Sequence, residues 1–177
     1  MFHVTERLLL RPAWPEDWEA VLEGVADEGV AMNLARAPWP YGPAEAREFV
    51  ALPQDPCKPH FLVVESASGQ VIGSAGLGDR NGEIEVGYWL ARPYWGRGYA
   101  TEAAAGVLRV ARMLGHRRAL AGHFADNPAS GRVLRKLGFI PTGRNAMRYS
   151  RARGRAVRSV EYTLDLAEPS APVMRAA

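Results

Sequence analysis

The chain has 177 residues, of which 47% are hydrophobic and 23% charged, a composition typical of one globular domain with a substantial core. No apolar run approaches the roughly 18 residues of a membrane span. The N-terminus lacks the apolar core of a signal peptide, so no membrane partner is expected. The single cysteine, Cys57, excludes an internal disulfide and makes a cytoplasmic location the default. A net charge of +3 permits an anionic partner without requiring one.

The first half of the chain predicts helices followed by an antiparallel meander. Alternating residues predict a strand at 5–11, and Pro15, with acidic residues after it, suits the start of a helix over 15–35. An aromatic and proline-rich loop leads to a short helix between Pro43 and about Leu52. Three strands then follow, at 60–66, 71–78 and 83–91. The last two are joined by a turn that contains the Asn-Gly hairpin signal.

The second half predicts alternating helices and strands. A helix that begins near Gly98 carries an apolar stripe and ends at Gly115. It is followed by a strand at about 118–125, a helix at 127–137 and strands at about 139–149 and 157–166. Together these elements predict one mixed α/β (α+β) domain over residues 1–166 and a flexible C-terminal tail over 167–177.

The start of the helix near Gly98 lacks the Ser, Thr, Asp or Asn that usually caps the first free N–H groups. Such a bare helix start, with the positive end of the helix dipole, is a site for an anion, especially phosphate. Gly96 and Gly98 let a ligand approach the backbone closely, and Arg92 and Arg97 add positive charge. A diphosphate is therefore predicted to cap this helix; the alternative is a tight turn that water satisfies.

Two familiar phosphate-binding patterns fit this stretch poorly. A Rossmann fingerprint needs a third glycine and parallel strands, whereas hairpin signals precede this helix. A Walker loop needs Gly-Lys-Ser or Gly-Lys-Thr, which residues 96–98 do not supply. The pattern that remains is a phosphate cradle after an antiparallel meander.

The stretch YWGRGYATEA, residues 94–103, resembles the acyl-CoA signature of the GNAT acetyltransferases, Arg/Gln-x-x-Gly-x-Gly/Ala. Gly98 and Ala100 match this signature, and Trp95 stands at its Gln/Arg position. TERLLLRP near the start, GYWL at 87–90 and NPASGRVLRKLGF at 127–139 are similar to the RimJ/RimL-like branch. The ordered matches extend from residue 5 to about residue 165.

The resemblance implies the GNAT fold, with a mixed, mostly antiparallel twisted sheet flanked by about four helices. It implies acetyl-CoA as the cofactor and two strands that splay apart at about 86–90 and 119–125; no metal is expected. The cofactor-binding residues that it implies are Tyr88, Trp89, Leu90, Arg92, Arg97, Gly98, Tyr99, Ala100, Thr101, Asn127 and Ser130.

The helix at 127–137 places Ser130 on the inward stripe of its first turn. From position alone, that hydroxyl either caps the backbone or faces a ligand. The resemblance implies that Asn127 contacts the pantetheine arm and that Ser130 lies near the thioester sulfur. Many relatives carry a tyrosine general acid at the position of Leu134, which has no proton to give. Ser130, directly or through water, is therefore the predicted proton donor.

An amine acceptor must lose a proton before it attacks a thioester, because an alkylammonium has a pKa of about 10.4. Glu85 is the predicted general base, since it shares a strand face with Gly87 and Trp89; a solvent-facing strand carboxylate is the alternative. Weaker candidates are Glu83, His123 and Asp126. Some relatives use a carboxylate in the last hairpin, but residues 139–160 contain none.

The segment 144–158 contains six arginines and no acidic residue. It is either a solvated hairpin face or a patch that recruits an acidic acceptor or nucleic acid. The residues predicted to line the acceptor site are Trp39, Tyr41, His123 and Arg148. Packing between helices is the alternative for Trp39 and Tyr41.

The sequence thus predicts an acetyl-CoA-dependent N-acetyltransferase that transfers acetyl directly, within a ternary complex, to a primary amine of a protein N-terminus or a small molecule. One alternative is a GNAT scaffold that senses acyl-CoA without catalysis. Another is a basic module that binds nucleic acid through residues 144–158, although nucleic acid is the less favoured partner. A monomer or a homodimer is expected.

Overall fold

A computed structural model of the chain describes residues 1–167, and these form one eight-stranded sheet with five α-helices. The strands are β1 His3–Val4, β2 Leu8–Arg11, β3 His60–Glu65, β4 Val71–Arg80, β5 Glu83–Leu90, β6 Arg118–Phe124, β7 Ile140–Ser150 and β8 Arg155–Asp165. The helices are α1 Trp18–Val25, α2 Glu28–Ala31, α3 Pro43–Val50, α4 Tyr99–Met113 and α5 Pro128–Lys136. The mixed, mostly antiparallel sheet that the sequence predicts is confirmed.

The sheet opens into a wedge between its two central strands. Its strand order is β1-β2-β3-β4-β5-β6-β8-β7, and every neighbouring pair is antiparallel except β5 and β6. These two strands pair only where Ile84 faces Ala119 and Glu85 faces Leu120. Both continue beyond that point, to Leu90 and Phe124, so they separate where the sequence predicts that they splay apart.

Helices cover both faces of the sheet. The larger core lies between the sheet and α4, with β2 and the middle of the sheet supplying its aliphatic residues. A smaller core lies on the opposite face, where α1 and α3 pack over β3. Because side chains alternate along β5, Tyr88 points to the larger core and Trp89 to the smaller one.

The turn between β4 and β5 is the predicted Asn-Gly hairpin. Asn81 has a φ of 55° and Gly82 a φ of 83°, which is the left-handed geometry of a two-residue hairpin turn. This turn fixes the register in which Arg80 faces Glu83 and Gly78 faces Glu85. The turn thereby sets which residues of β5 reach the wedge.

The continuous helix predicted over 15–35 is wrong. The structure divides it into a 3₁₀ turn at Pro15–Asp17, then α1 and α2. Asp27 has an extended backbone, and its side chain caps α2 by accepting a hydrogen bond from the Val30 amide at 3.2 Å. An aspartate that caps a new helix interrupts the one before it, which gives five helices instead of about four.

The other elements agree with the predicted boundaries to within a few residues. The predicted tail over 167–177 lies outside the described residues except for Ala167. No helix within residues 1–167 combines the length and apolar character needed to cross a membrane.

Candidate functional site

The wedge between β5 and β6 is the floor of a cleft of about 420 Å³. At one end of the cleft lies the start of α4, and at the other end lie Glu85, Arg148 and Ser159. The first turn of α5 forms one wall, and residues just after α2 form the opposite wall. The cleft therefore passes from one face of the sheet to the other through the wedge.

The start of α4 is a bare helix N-terminus. Gly98, its N-cap residue, has a left-handed φ of 84°, and no side chain of the described residues caps the helix. Gly96 is also left-handed, with a φ of 76°. The first amides of a helix have no partner within it, so those of this turn are free to bind an anion. We call residues 95–101 the phosphate loop.

Trp95 ties the phosphate loop to the end of β5. Its indole Nε1 donates a hydrogen bond to the carbonyl oxygen of Leu90 at 2.7 Å. At this position the family signature carries Gln or Arg, so the substitution replaces a polar side chain with a structural anchor. The sequence identified Trp95 as a departure but did not indicate this contact.

Arg7 holds the phosphate loop from the other side. Its Nη1 donates to the carbonyl oxygen of Arg97 at 3.1 Å, and its guanidinium lies 4.4 Å from the centre of the Tyr99 ring. Glu102 fixes Arg7 in turn, through an Nε–Oε2 hydrogen bond of 2.7 Å. Glu102 also accepts a hydrogen bond of 2.6 Å from the Thr5 hydroxyl. Sequence reasoning missed Arg7, because the TERLLLR stretch shows only a strand.

The first turn of α5 brings Ser130 against Tyr88. Asn127 caps this helix as predicted, because its Oδ1 accepts from the Ser130 amide at 3.3 Å. The Ser130 hydroxyl does not cap; its Oγ lies 2.8 Å from the Tyr88 hydroxyl oxygen. Burial raises the pKa of Tyr88 to about 12, so this phenol is protonated near neutral pH.

Glu85 lies at the far end of the cleft with both carboxylate oxygens engaged. Arg148 donates to them from Nη1 at 2.6 Å and from Nη2 at 2.8 Å. Arg80 donates to the same carboxylate at 3.2 Å and also pairs with Glu161, which accepts from the Ser159 hydroxyl. The bonds to Glu85 raise the pKa of the Arg148 guanidinium, which stays charged. This cluster of two acids and two arginines has no net charge.

Two segments meet near the end of β6, and we call them the clasp: residues 32–36 and residues 151–153. The Arg151 amide donates to the Ala35 carbonyl at 3.0 Å, and Arg153 Nε donates to the Met32 carbonyl at 3.0 Å. Arg153 Nη1 lies 2.5 Å from Asp126 Oδ2, and this hydrogen bond lowers the pKa of Asp126. Half of the six arginines in 144–158 therefore have internal partners, namely Arg148, Arg151 and Arg153.

His123 lies on the same face of the sheet as Tyr88, away from Glu85. Its Nδ1 lies 2.8 Å from the Phe124 carbonyl, which can only accept, so Nδ1 carries the proton. Its Nε2 lies 3.4 Å from the Tyr162 hydroxyl. The predicted acceptor role of His123 stays a prediction; the structure places its ring beside Tyr162 and the Gly131 position of α5.

Most of the predicted site residues come together in this cleft. The members of that set that line it are Glu85, Tyr88, Trp89, Leu90, Gly98, Tyr99, Ala100, Thr101, His123, Asn127, Ser130 and Arg148. Their individual roles stay predictions. Arg97 is in the phosphate loop without lining the cleft, and Arg92 pairs with Asp27 at 3.3 Å.

The two aromatic loop residues do not line the cleft. Tyr41 is buried in the smaller core beside Val21 and Val50, and burial raises its pKa to about 12. Trp39 lies on the same loop, 37% exposed. The acceptor-lining interpretation is therefore wrong for Tyr41, which packs between helices, and Trp39 does not reach the cleft either.

Sequence reasoning missed several residues besides Arg7. Arg80 and Glu161 complete the charged cluster, and Asn33 of the clasp lines the cleft. No local pattern marks them, because they reach the site from a hairpin turn, the last strand and a helix end. Only the arrangement of the strands brings them together.

Three sets of groups that could interact with a ligand lie one after another along the cleft. The phosphate loop presents backbone donors for an anion. The wedge exposes N–H groups on the edge of β5 that faces β6, beyond the point where pairing ends. Tyr88 and Ser130 present a hydroxyl pair beside that edge.

Comparison with known proteins agrees with this geometry. A family model for the acetyltransferase (GNAT) domain matches residues 7–140. The chain is 28% identical over 169 residues to the uncharacterized N-acetyltransferase p20 of Bacillus licheniformis, covering 90% of this chain and 93% of p20.

Solved structures share the fold. A GNAT-family acetyltransferase from Bacillus anthracis is similar with a TM-score of 0.82 and 25% identity, over 95% of this chain and all of that one. RimL, a ribosomal L7/L12 alpha-N-protein acetyltransferase solved in complex with coenzyme A, has a TM-score of 0.77 and 21% identity. The alignment covers 93% of this chain and 98% of RimL.

Proposed function

This chain belongs to the GNAT acetyltransferase family, and from that premise we propose that it is an N-acetyltransferase that uses acetyl-CoA and a primary amine. Both substrates are bound together, and the acetyl group passes directly from one to the other. The observation that carries the proposal is the uncapped start of α4, which opens into the wedge between β5 and β6.

The residues of the phosphate loop fit the diphosphate of coenzyme A. The amides of Gly98, Tyr99, Ala100 and Thr101 would hold it, since no side chain of the described residues occupies that turn. Further along the cleft, the Asn127 side-chain nitrogen would be available to the pantetheine arm, because within residues 1–167 the side chain uses only its oxygen, in capping. Acetyl-CoA would supply the acetyl group as a thioester that an amine can attack.

The chain's own groups would stabilise the charges that develop at the wedge. The free N–H groups on the β6-facing edge of β5 would bind the oxygen that becomes negative. Ser130 would protonate the departing sulfur, which is the role that the buried Leu134 has no group to perform. Glu85 is the proposed base, and the incoming amine then has to displace a guanidinium from one of its oxygens.

The proposed acceptor is a primary amine of a protein N-terminus or of a small molecule. RimL acts on a ribosomal protein, but the likeness to it supports the fold alone. The charged cluster around Glu85 and Arg148 has no net charge, so it gives no preference for an anionic acceptor. Nucleic acid is disfavoured as a partner, because half of the hairpin arginines are bound internally.

Calorimetry with coenzyme A and with pantetheine tests the cofactor site. Pantetheine lacks the diphosphate, so we expect it to bind much more weakly than coenzyme A. Equal affinity of the two ligands would contradict a phosphate-binding role for the loop.

Thiol release from acetyl-CoA across a panel of amines tests catalysis. Turnover with any amine supports the enzyme and excludes the acyl-CoA sensor. Tight binding of coenzyme A without turnover of any peptide or small-molecule amine would favour the sensor.

A further inference from the structure

We propose that Tyr88 is a positioning residue for the proton donor Ser130: its hydroxyl donates to Ser130 Oγ and leaves the serine proton free for the departing sulfur. This inference rests on the proposed function, and it adds a second residue to the step in which the departing sulfur is protonated. The two residues are 42 positions apart in the sequence, and β5 and α5 bring them together at the wedge.

The chemistry of the two hydroxyl groups decides which one donates. The Tyr88 hydroxyl oxygen lies 2.8 Å from Ser130 Oγ and 3.3 Å from the Ser130 carbonyl oxygen. The shorter distance is the usual one for an O–H···O bond, and either oxygen can be the donor in it. We assign the donation to Tyr88, because a phenol is a stronger donor and a weaker acceptor than an aliphatic hydroxyl, and this leaves the Ser130 proton for another partner.

The surroundings of Tyr88 keep it in the form that donates. The ring packs against the larger core, and its hydroxyl reaches the cleft only beside α5. Burial raises the pKa of Tyr88 to about 12, so a phenolate is not populated near neutral pH. A protonated phenol can then hold the serine oxygen in one orientation.

The proton transfers balance over one turnover. As the carbon–sulfur bond breaks, its electron pair goes to sulfur, and Ser130 Oγ gives its proton to that sulfur. The Tyr88 hydroxyl keeps its proton and its hydrogen bond to Ser130 Oγ in this step. The proton that the amine loses to the proposed base Glu85 returns through water to Ser130 Oγ, so the serine hydroxyl is restored.

A double-mutant cycle on kcat tests the inference. We expect Ser130→Ala to lower kcat about 100-fold, the lower end of what general acid catalysis contributes. Tyr88→Phe should lower kcat about tenfold, as expected for the loss of one hydrogen bond, with the dissociation constant of coenzyme A unchanged. The double variant should match Ser130→Ala alone, because Tyr88 acts only through Ser130.

Tyr149→Phe is the matched control, since Tyr149 is 60% exposed on β7 and does not line the cleft. Its kcat should equal that of the wild type. Thermal unfolding of each variant separates a folding defect from a catalytic one. A merely structural role for Tyr88 would lower the melting temperature and would give additive effects on kcat.

A measurement without turnover tests the hydrogen bond itself. With ¹³C-labelled tyrosine, the Tyr88 Cζ signal of the coenzyme-free protein should shift in Ser130→Ala and not in Ser68→Ala, a change in an exposed turn. An unmoved signal, or wild-type kcat in Tyr88→Phe, overturns the inference while amine turnover by the wild type still supports the proposed function. If the wild type binds coenzyme A and acetylates no amine, the proposed function fails, and the catalytic part of the inference fails with it.

Discussion

The two ends of the cleft are built in opposite ways. At the phosphate loop, the binding groups are backbone amides of one short stretch, and no side chain of the described residues caps them. At the end that contains Glu85 and Arg148, which we propose binds the acceptor and call the acceptor end, the groups are charged side chains from four strands, and each of them already has a partner. The backbone amides of the phosphate loop can bind an anion directly. At the other end, a ligand can bind a charged side chain only by displacing the side chain that is paired with it.

Because of this difference, we expect the affinity for coenzyme A and the choice of acceptor to depend on different ends of the cleft. A backbone cradle binds any diphosphate that fits and needs little from the rest of the chain. A charged ligand can bind at the paired cluster only if it takes the place of the side chain that it displaces. Otherwise a buried charge is left without a partner, which is costly. We therefore expect changes at the acceptor end to affect stability and acceptor use together, and changes at the phosphate loop to affect coenzyme A binding alone.

The largest expected effect comes from breaking the Glu85–Arg148 pair. Arg148→Met leaves a buried carboxylate with only the 3.2 Å bond from Arg80. The free energy of unfolding should fall by about 2 to 3 kcal/mol, measured by urea denaturation. Arg144→Met is the control, because Arg144 is exposed on the same strand and its side chain pairs with nothing in the described part of the chain.

The double variant Glu85→Gln with Arg148→Met tests whether these two side chains are energetically coupled. Its loss of stability should be smaller than the sum of the two single losses, since removing both charges leaves neither one unpaired. Additive losses would mean that the two side chains are not energetically coupled. The kcat/KM of Glu85→Gln then reports separately whether Glu85 also acts as the base: if it does, kcat/KM falls.

The next effect is expected at the phosphate loop. Thr101→Glu puts a negative charge in the first turn of α4, where it repels a diphosphate and favours the helix dipole. The dissociation constant of coenzyme A should rise on the order of tenfold or more, while the melting temperature stays level or rises slightly. Thr101→Gln is the matched neutral control and should bind nearly as well as the wild type. Equal weakening by both variants would show that size, not charge, is responsible.

A smaller effect is expected from the anchor of the phosphate loop. Trp95→Phe keeps an aromatic ring and removes the 2.7 Å bond to the Leu90 carbonyl. Losing one such bond costs about 1 kcal/mol, so coenzyme A should bind several-fold more weakly in calorimetry. Unchanged affinity would mean that the loop keeps its shape without this bond.

The smallest effect is expected at the clasp, where Asp126 is 58% exposed. The hydrogen bond from Arg153 lowers the pKa of Asp126 below its ordinary value of 3.8. Because the folded pKa is the lower one, this stabilisation is present above the ordinary value and is lost as the pH falls through the folded one. Melting temperatures of the wild type and Asp126→Asn should differ slightly at pH 7 and converge in acid. A constant difference down to pH 2 would contradict this.

The bare start of α4 could be predicted from the sequence because its signals are local. The left-handed glycines, the missing cap and the apolar stripe of α4 lie within about twenty consecutive residues, and each has a direct physical meaning. The Asn81–Gly82 turn and the Asn127 cap were readable for the same reason. The two strands that splay apart were instead implied by the resemblance to the family.

The acceptor end could not be predicted in the same way. Glu85 was identified on β5, but its partners Arg148, Arg80 and Glu161 come from other strands, and no spacing rule links them. The prediction that Tyr41 lines the acceptor site also failed, because the sequence does not show whether an aromatic residue in a loop faces a groove or a core. The helix break at Asp27 could not be predicted either. The capping preference of one aspartate had to be weighed against a long apolar pattern that favours a continuous helix.

The clasp has a consequence for how the enzyme is made. Its contacts join Met32 and Ala35 to residues that follow them by more than a hundred positions, such as Arg153, which is 121 residues beyond Met32. Residues 151–153 leave the ribosome well after the phosphate loop, and contacts that close so long a span of chain form late. A nascent chain therefore completes its phosphate loop before the clasp can join residues 32–36 to residues 151–153, so the turn that begins α4 forms earlier in synthesis than the clasp.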